Sequence, residues 1–244
     1  MKCIILAAGF GTRAYPLTKD RAKCLLPVRH RPIIEHIISK LELLEDLTEI
    51  FIITNSRFYK HFESWLERFP NSIPIKLIDD GSMNHKDKLG AVKDLAFACS
   101  KEKIDDDLLV VGGDNLFSFP LNGFIDFARQ FRRNSSIGVY NLDGKLQPNK
   151  FGHVRLNADA QVIDFCEKPK EVDGSGLVSM CLYYFPKEKS SLIKEYLNQA
   201  SDSDRIGSYI QWLSKKDTVY GYTFEGTWFD IGDIDSYTEA VFTF

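Results

Sequence analysis

Residues 2–7, KCIILA, form a short apolar run rich in β-branched side chains, and a glycine loop, LAAGFGTRAYPLT, opens from its end. Such a run reads as a buried strand. Gly9 and Gly11 let backbone N–H groups come close to a ligand. Arg13 inside the loop and Lys23 beyond it are cations within reach of the same ligand, and both suit phosphate oxygens. A strand that opens into such a loop is built to hold a polyphosphate.

Gly9-x-Gly11-x-x-Ala14 also satisfies the dinucleotide fingerprint. That fingerprint needs a helix starting at the second glycine, and Tyr15-Pro16 places a proline where the helix should be under way. It also needs an acid after the second strand, where this chain has Thr54-Asn55-Ser56. The dinucleotide reading therefore falls away.

Strand and helix patterns alternate through the first half. Ile33, Ile34, Ile37, Ile38, Leu41 and Leu44 recur at helical spacing; EIFIIT (49–54) reads as a strand, 56–68 as a helix and IPIKLI (73–78) as a strand. A helical stripe over 89–99, the strand LLVVGGD (108–114), a helix over 121–132 and the strand SIGVYN (136–141) complete the predicted sheet. The second half predicts a hairpin of 153–157 with 161–167, a strand at 177–185, helices near 187–199 and 203–214, a strand pair around 218–229 and a last helix from Asp233. The expected fold is α/β: a mixed, mostly parallel, doubly wound sheet, Rossmann-like, with helices on both faces. No Pro-, Gly- or Ser-rich linker divides the chain, so one domain is expected over 1–244, with a nucleotide half at about 1–141 and an acceptor half at about 142–244.

Asp114 ends a strand after two glycines, at the sheet edge where open α/β folds bind ligands. A carboxylate beside a triphosphate suits Mg²⁺, which takes one or two carboxylates plus phosphate oxygens and water. Asp105–Asp107 precede the strand and read as a solvated turn. Asp230 sits among Trp228, Phe229 and Ile231, and an acid in such company needs a partner. A metal shared with Asp114 would supply one, while Asp233 is better placed to cap the final helix. Glu167-Lys168-Pro169 suits sugar hydroxyls and a phosphate, although EKP is also a common surface turn. Gly152 permits a close backbone approach.

A net charge of −3 without a basic stripe argues against a nucleic-acid surface. No apolar stretch approaches the roughly 20 residues of a membrane helix, and the run after Lys2 ends too soon for a secretion signal. Five cysteines without C-x-x-C spacing suggest reduced thiols and a cytoplasmic protein. The expected partners are small molecules rather than nucleic acid or membrane. Monomer and homodimer both stay open.

Taken together, LAAGFGTR (6–13), the lysine of KCLLPV, GGDN (112–115), FGHV (151–154), EKPK (167–170) and WFDIGD (228–233) resemble the sugar-1-phosphate nucleotidylyltransferases, in the short form of the glucose-1-phosphate thymidylyl- and uridylyltransferases. The resemblance runs from residue 2 to about 240. It implies Mg²⁺-dependent transfer of a nucleoside monophosphate from an NTP to a sugar 1-phosphate, with release of pyrophosphate. By the same resemblance Leu6, Ala7, Ala8, Gly9 and Gly11 line the nucleotide, and Thr12 and Arg13 meet its phosphates. Lys23 binds phosphate near the reacting centre, Asp114 and Asp230 are the magnesium ligands, and Arg13, Lys23 and Asp114 form the catalytic set. Gly152, Glu167 and Lys168 contact the sugar phosphate, with Val178 or Ser179 nearby, while Asp80 and the Leu89-Gly90 pair stand where the base is read.

The stretch 79–95, DDGSMNHKDKLGAVKDL, departs from the usual base-reading segment. Two other readings stay open. One is a CTP-dependent cytidylyltransferase for a phosphorylated alcohol or amine such as phosphocholine, with Tyr183, Tyr184, Trp212 and Trp228 as an aromatic cage. The other is a catalytically silent nucleotide-sugar sensor. A glycosyltransferase of similar fold would need a D-x-D after a strand, and GGDN holds one acid.

Overall fold

The computed structural model describes residues 1–144, 147–172, 176–199 and 204–244. β1 (Lys2–Leu6), β4 (Glu49–Thr54), β5 (Ile75–Asp79) and β6 (Leu108–Gly112) form a parallel block in the order β6-β1-β4-β5. Helices α1 (Ile33–Leu41), α2 (Ser56–Leu66) and α3 (Ala91–Lys101) belong to its crossovers. Both faces of the block are covered, which explains runs that are apolar at every position. Cys3 and Ile5 of β1 join the core beneath α1 and α2, whereas Ile4 joins the core beneath α3. Two two-residue strands, β2 (Pro27–Val28) and β3 (Arg31–Pro32), pair with each other ahead of α1.

Beyond β6 lie β7 (Asn115–Phe117), α4 (Asn122–Gln130) and β8 (Ser135–Asn141). The second half adds β9 (Gly152–Leu156), β10 (Val162–Glu167), β11 (Leu177–Phe185), α5 (Ser190–Gln199), α6 (Ile206–Lys216), β12 (Val219–Phe224), β13 (Trp228–Asp230) and α7 (Ile234–Thr243). Among the described residues, one nine-stranded sheet carries strands of both halves, and within it β10 and β11 run against the rest. The mostly parallel, mixed α/β fold is as expected.

Three details differ from the sequence reading. β8 does not extend the parallel block directly: it pairs with β11 antiparallel and with β12 parallel. The strands of 218–229 do not pair with each other, because β12 lies on β8 while β13 lies on β7. The helix expected over 203–214 runs Ile206–Lys216, and position 203 lies outside the described residues. Hydrophobic pattern fixes an element's face; partner choice is a tertiary matter.

β11 shapes the site. Along one edge it follows β8; along the other it pairs with β6 through Leu182–Phe185 and with β9 at Val178. Cys181 lies between these stretches with φ of 54°, in a bulge of the ladder. A bulge bends its strand, and here the bend lies beside the carboxyl end of β6. The expected hairpin of β9 and β10 forms on the far side of that opening.

The aspartates at 105–107 are more than a solvated turn. Asp107 accepts bonds from the Tyr184 hydroxyl at 2.6 Å and the Lys187 amide at 2.9 Å, and Asp106 pairs with the chain's amino terminus at 3.1 Å. They anchor the edge opposite the site.

Candidate active site

The glycine loop leaves β1 and runs directly into a single 3₁₀ turn, Thr12–Ala14, so no helix begins at Gly11. Gly11 has φ of 62°, and Thr18 Oγ1 donates to its carbonyl at 2.7 Å. A Cβ on Gly11 would press on Thr18 at 3.1 Å, so both backbone conformation and space require glycine there. Asn55 does two jobs: its amide donates to the Ala8 carbonyl at 2.9 Å, and its side-chain oxygen caps α2 at the Phe58 amide. The acid a dinucleotide site would need is replaced by a brace for the loop.

The β6 end arrives from the other side. The Gly113 amide donates to the Leu6 carbonyl at 2.9 Å, and a Cβ there would meet Cys24 Sγ at 2.8 Å and that same carbonyl at 2.9 Å. Only glycine lets the two strand ends close up in this way. Asp114 therefore stands beside the loop, where Lys23 Nζ donates to its Oδ2 at 2.6 Å. Burial alone would lower the Lys23 ammonium, but Asp114 and Asp230 outweigh it and hold the group charged.

Asp230 reaches the same point on β13. It pairs in register with Asn115, and the Ile231 amide donates to the Asp114 carbonyl at 3.0 Å. Inside this junction Trp228 Nε1 donates to Asn115 Oδ1 at 2.7 Å. Burial, and then the charge of Asp114, push the Asp230 carboxyl up to about 6, against the pull of Lys23, Lys150 and Arg13. The Arg13 guanidinium and the Asp230 carboxylate both face Gly232, within 3.4 and 3.5 Å of where a Cβ would be. The two aspartates thus lie close enough to interact, beside the glycine loop. Asp233 caps α7 through a reciprocal box with Ser236.

Two cavities meet at this junction. One, of about 310 Å³, runs along Leu6–Arg13 and reaches Gly90 at the start of α3. The other, of about 340 Å³, is walled by Gly152, Glu167 and Lys168 from the β9–β10 hairpin, with Lys150, Arg205 and Asp230. Arg13 and Asp114 border both.

The nucleotidyl transferase family model matches residues 2–243. The chain belongs to the nucleotidyl transferase family. Members of that family are enzymes of the EC 2.7.7 type. This nucleotidyltransferase is 31% identical over 232 residues to the bifunctional protein GlmU of Methanocaldococcus jannaschii, covering 95% of the chain and 51% of that protein. The chain thus spans about half the length of the curated relatives it matches. Among solved structures it resembles a candidate glucose-1-phosphate thymidylyltransferase from Bacillus anthracis in complex with sucrose, at 27% identity and a TM-score of 0.82, covering 99% of this chain and 94% of that one. In fold it also matches a UDP-glucose pyrophosphorylase complexed with UDP-glucose, with 19% identity, a TM-score of 0.81, and coverage of 98% and 96%.

Some expected residues lie elsewhere. Val178 is fully buried in the core, because strand alternation turns its neighbour Ser179 towards the second cavity instead. Asp80 does not line the first cavity; its carboxylate accepts from the Ser82 amide and hydroxyl at 2.7 Å. The acid in that wall is Asp94, buried on the first turn of α3, with Oδ1 lacking a hydrogen-bond partner among the described residues. Burial, reinforced by Asp80, pushes the Asp94 carboxyl up to about 8. Its position in an otherwise apolar helical stripe was the available signal.

The four aromatics of the proposed cage diverge. Tyr183 and Trp228 border the second cavity, Tyr184 turns to Asp107, and Trp212 packs on Tyr196 and Tyr209. Among the described residues no helix is long and apolar enough to cross a membrane.

Proposed function

We propose that this nucleotidyltransferase moves a nucleoside monophosphate from an NTP to a sugar 1-phosphate, releasing pyrophosphate and forming an NDP-sugar. The observation that carries the reading is the shared border of the two cavities at Arg13 and Asp114. The nucleotide would lie along Leu6–Thr12, with its triphosphate at Arg13 and Lys23. The sugar phosphate would lie against Gly152, Glu167 and Lys168, its phosphate drawn by Lys168, Lys150 and Arg205.

In-line attack by one phosphate oxygen on the α-phosphorus joins two anions, so alignment and charge neutralisation dominate the barrier. A phosphate monoester is already ionised near neutral pH, and no general base is needed. Arg13 would grip the departing pyrophosphate through its fork of donors. Lys23, released from Asp114 as substrate arrives, would neutralise the α-phosphate.

Asp114 and Asp230 fit a Mg²⁺ ion, since hard carboxylate oxygens are its preferred protein ligands and one or two suffice when phosphates supply the rest. The crowding that raises Asp230 supports this, because a divalent cation would relieve it. When bound, the ion would supply Lewis-acid neutralisation of the reacting phosphates.

A pyrophosphate-release screen tests this reading: five NTPs with Mg²⁺ against a panel of sugar 1-phosphates and phosphocholine. Turnover with a sugar 1-phosphate is expected. Turnover with phosphocholine alone would replace the acceptor, and silence across the panel would leave a binding protein.

A further inference from the structure

We propose that Gly207 is a positioning residue: the bare second position of α6 sets where the Glu167 carboxylate sits in the acceptor cavity. The inference rests on the acceptor reading of that cavity.

Glu167 ends β10 between β9 and α6. A Cβ on Gly207 would lie 1.9 Å from Glu167 Oε2, 2.5 Å from Cδ and 3.0 Å from Oε1. The carboxylate therefore occupies the space an alanine methyl would take. From β9, a Cβ on Gly152 would stand 3.0 Å from the same Oε2. The Glu167 amide donates to Gln211 Oε1 at 2.8 Å, and Gln211 lies four residues beyond Gly207, on the same face of α6. One face of a helix thus fixes both the backbone and the carboxylate of this residue.

A glycine inside a helix is disfavoured against alanine, so a helix of this sequence holds Gly207 against its own propensity. The obstacle to a methyl is the tip of a flexible side chain rather than backbone. Gly207→Ala should therefore fold, and the carboxylate should yield by about 1 Å towards the cavity. A misplacement of about that size at a reacting centre can cost on the order of 100-fold; for an acceptor contact we expect about tenfold in KM.

The test titrates the full chain with α-D-glucose 1-phosphate at a saturating NTP, using G207A, E167D, the double variant and E167A, with melting temperatures alongside. G207A is expected to raise KM for glucose 1-phosphate about tenfold, to leave KM for the NTP within twofold, and to melt no earlier than the parent. The shorter side chain of E167D withdraws from the methyl, so adding G207A to E167D should change nothing further. No effect of G207A in the parent, or an equal effect in both backgrounds, overturns the proposal. If E167A leaves KM for glucose 1-phosphate unchanged, it is the acceptor assignment that falls. A crystal structure of G207A decides independently of turnover: a displaced carboxylate upholds the proposal, and an unmoved one with α6 pushed aside overturns it.

Discussion

Lys23 and Asp114 stand 91 positions apart in the chain, yet Lys23 Nζ lies 2.6 Å from Asp114 Oδ2. The lysine side chain is 12% exposed and the aspartate 30%. The pair joins a second 3₁₀ turn, Lys23–Leu25, to the end of β6, where Asp114 borders both cavities. Without substrate each group neutralises the other. On the proposed reading each would have a phosphate or a metal to serve once substrate is bound, and the contact would be a resting state that binding opens.

Lys23→Ala should consequently damage turnover more than nucleotide affinity. Losing one well-placed electrostatic contact costs about 10²–10³ in rate, and kcat should fall by that factor while NTP affinity shifts only several-fold. Steady-state kinetics beside calorimetric titration of the NTP separates the two. A kcat within a few-fold of the parent would remove Lys23 from the reacting centre.

Asp230 makes the opposite kind of prediction, since its charge is a burden until something neutralises it. Its carboxyl is raised to about 6 by burial and by Asp114, so at pH 7.5 it is ionised and the unfavourable charge is fully present. Asp230→Asn should stabilise the metal-free protein by about 1–3 kcal/mol, seen as several degrees in melting temperature. The same variant should lose the additional stabilisation that millimolar Mg²⁺ gives the parent. Equal Mg²⁺-dependent shifts in parent and variant would place the ion elsewhere.

The parts of this site that lie in one short stretch were readable from the residues. β1 with its loop, the acid closing β6 and the proline that bars a helix after Gly11 are local signals, and each reflects a backbone constraint. What escaped depends on contacts between distant segments. The bulge at Cys181 has no marker in LVSMCLYYF, and β13 found β7 rather than β12 through Trp228 and Asn115, which are 113 positions apart. Asp80 was expected in the wall that Asp94 of α3 occupies, because the sequence 79–95 does not disclose which acid the fold turns towards the cavity. Gly207 looks ordinary until Glu167 is placed against it.

Asp94 gives a pH dependence whose sign is fixed. Its carboxyl rises from 3.8 to about 8, through burial first and Asp80 second, with Lys88 opposing. The folded protein therefore holds this proton where the unfolded chain has lost it. Stability from this group is complete below pH 3.8 and is lost as pH climbs towards 8. Asp94→Asn removes that slope. Against the parent, the variant should gain on the order of a few kcal/mol between pH 5 and pH 8. Urea midpoints at the two pH values measure it, and parallel behaviour of the two proteins would refute a raised Asp94 carboxyl.

Trp228 and Asn115 carry the last prediction, because their bond holds the strand that delivers Asp230. Trp228 is 9% exposed and Asn115 2%, and the indole N–H donates to Asn115 Oδ1 at 2.7 Å. The Asn115 amide in turn donates to the Cys181 carbonyl at 3.3 Å, tying β7 to the bulge of β11. Trp228→Phe keeps an aromatic ring in the core but leaves Asn115 Oδ1 buried without its donor. Stranding a buried acceptor costs about 1–3 kcal/mol, or several degrees in melting temperature. The functional consequence should exceed the structural one. With β13 loosened on β7, Asp230 no longer meets Asp114 at a fixed spacing, and the Mg²⁺ concentration for half-maximal turnover should rise several-fold while NTP affinity holds. A variant that melts earlier yet keeps the parent's Mg²⁺ dependence would mean that Asp230 is positioned by the Ile231–Asp114 backbone bond alone.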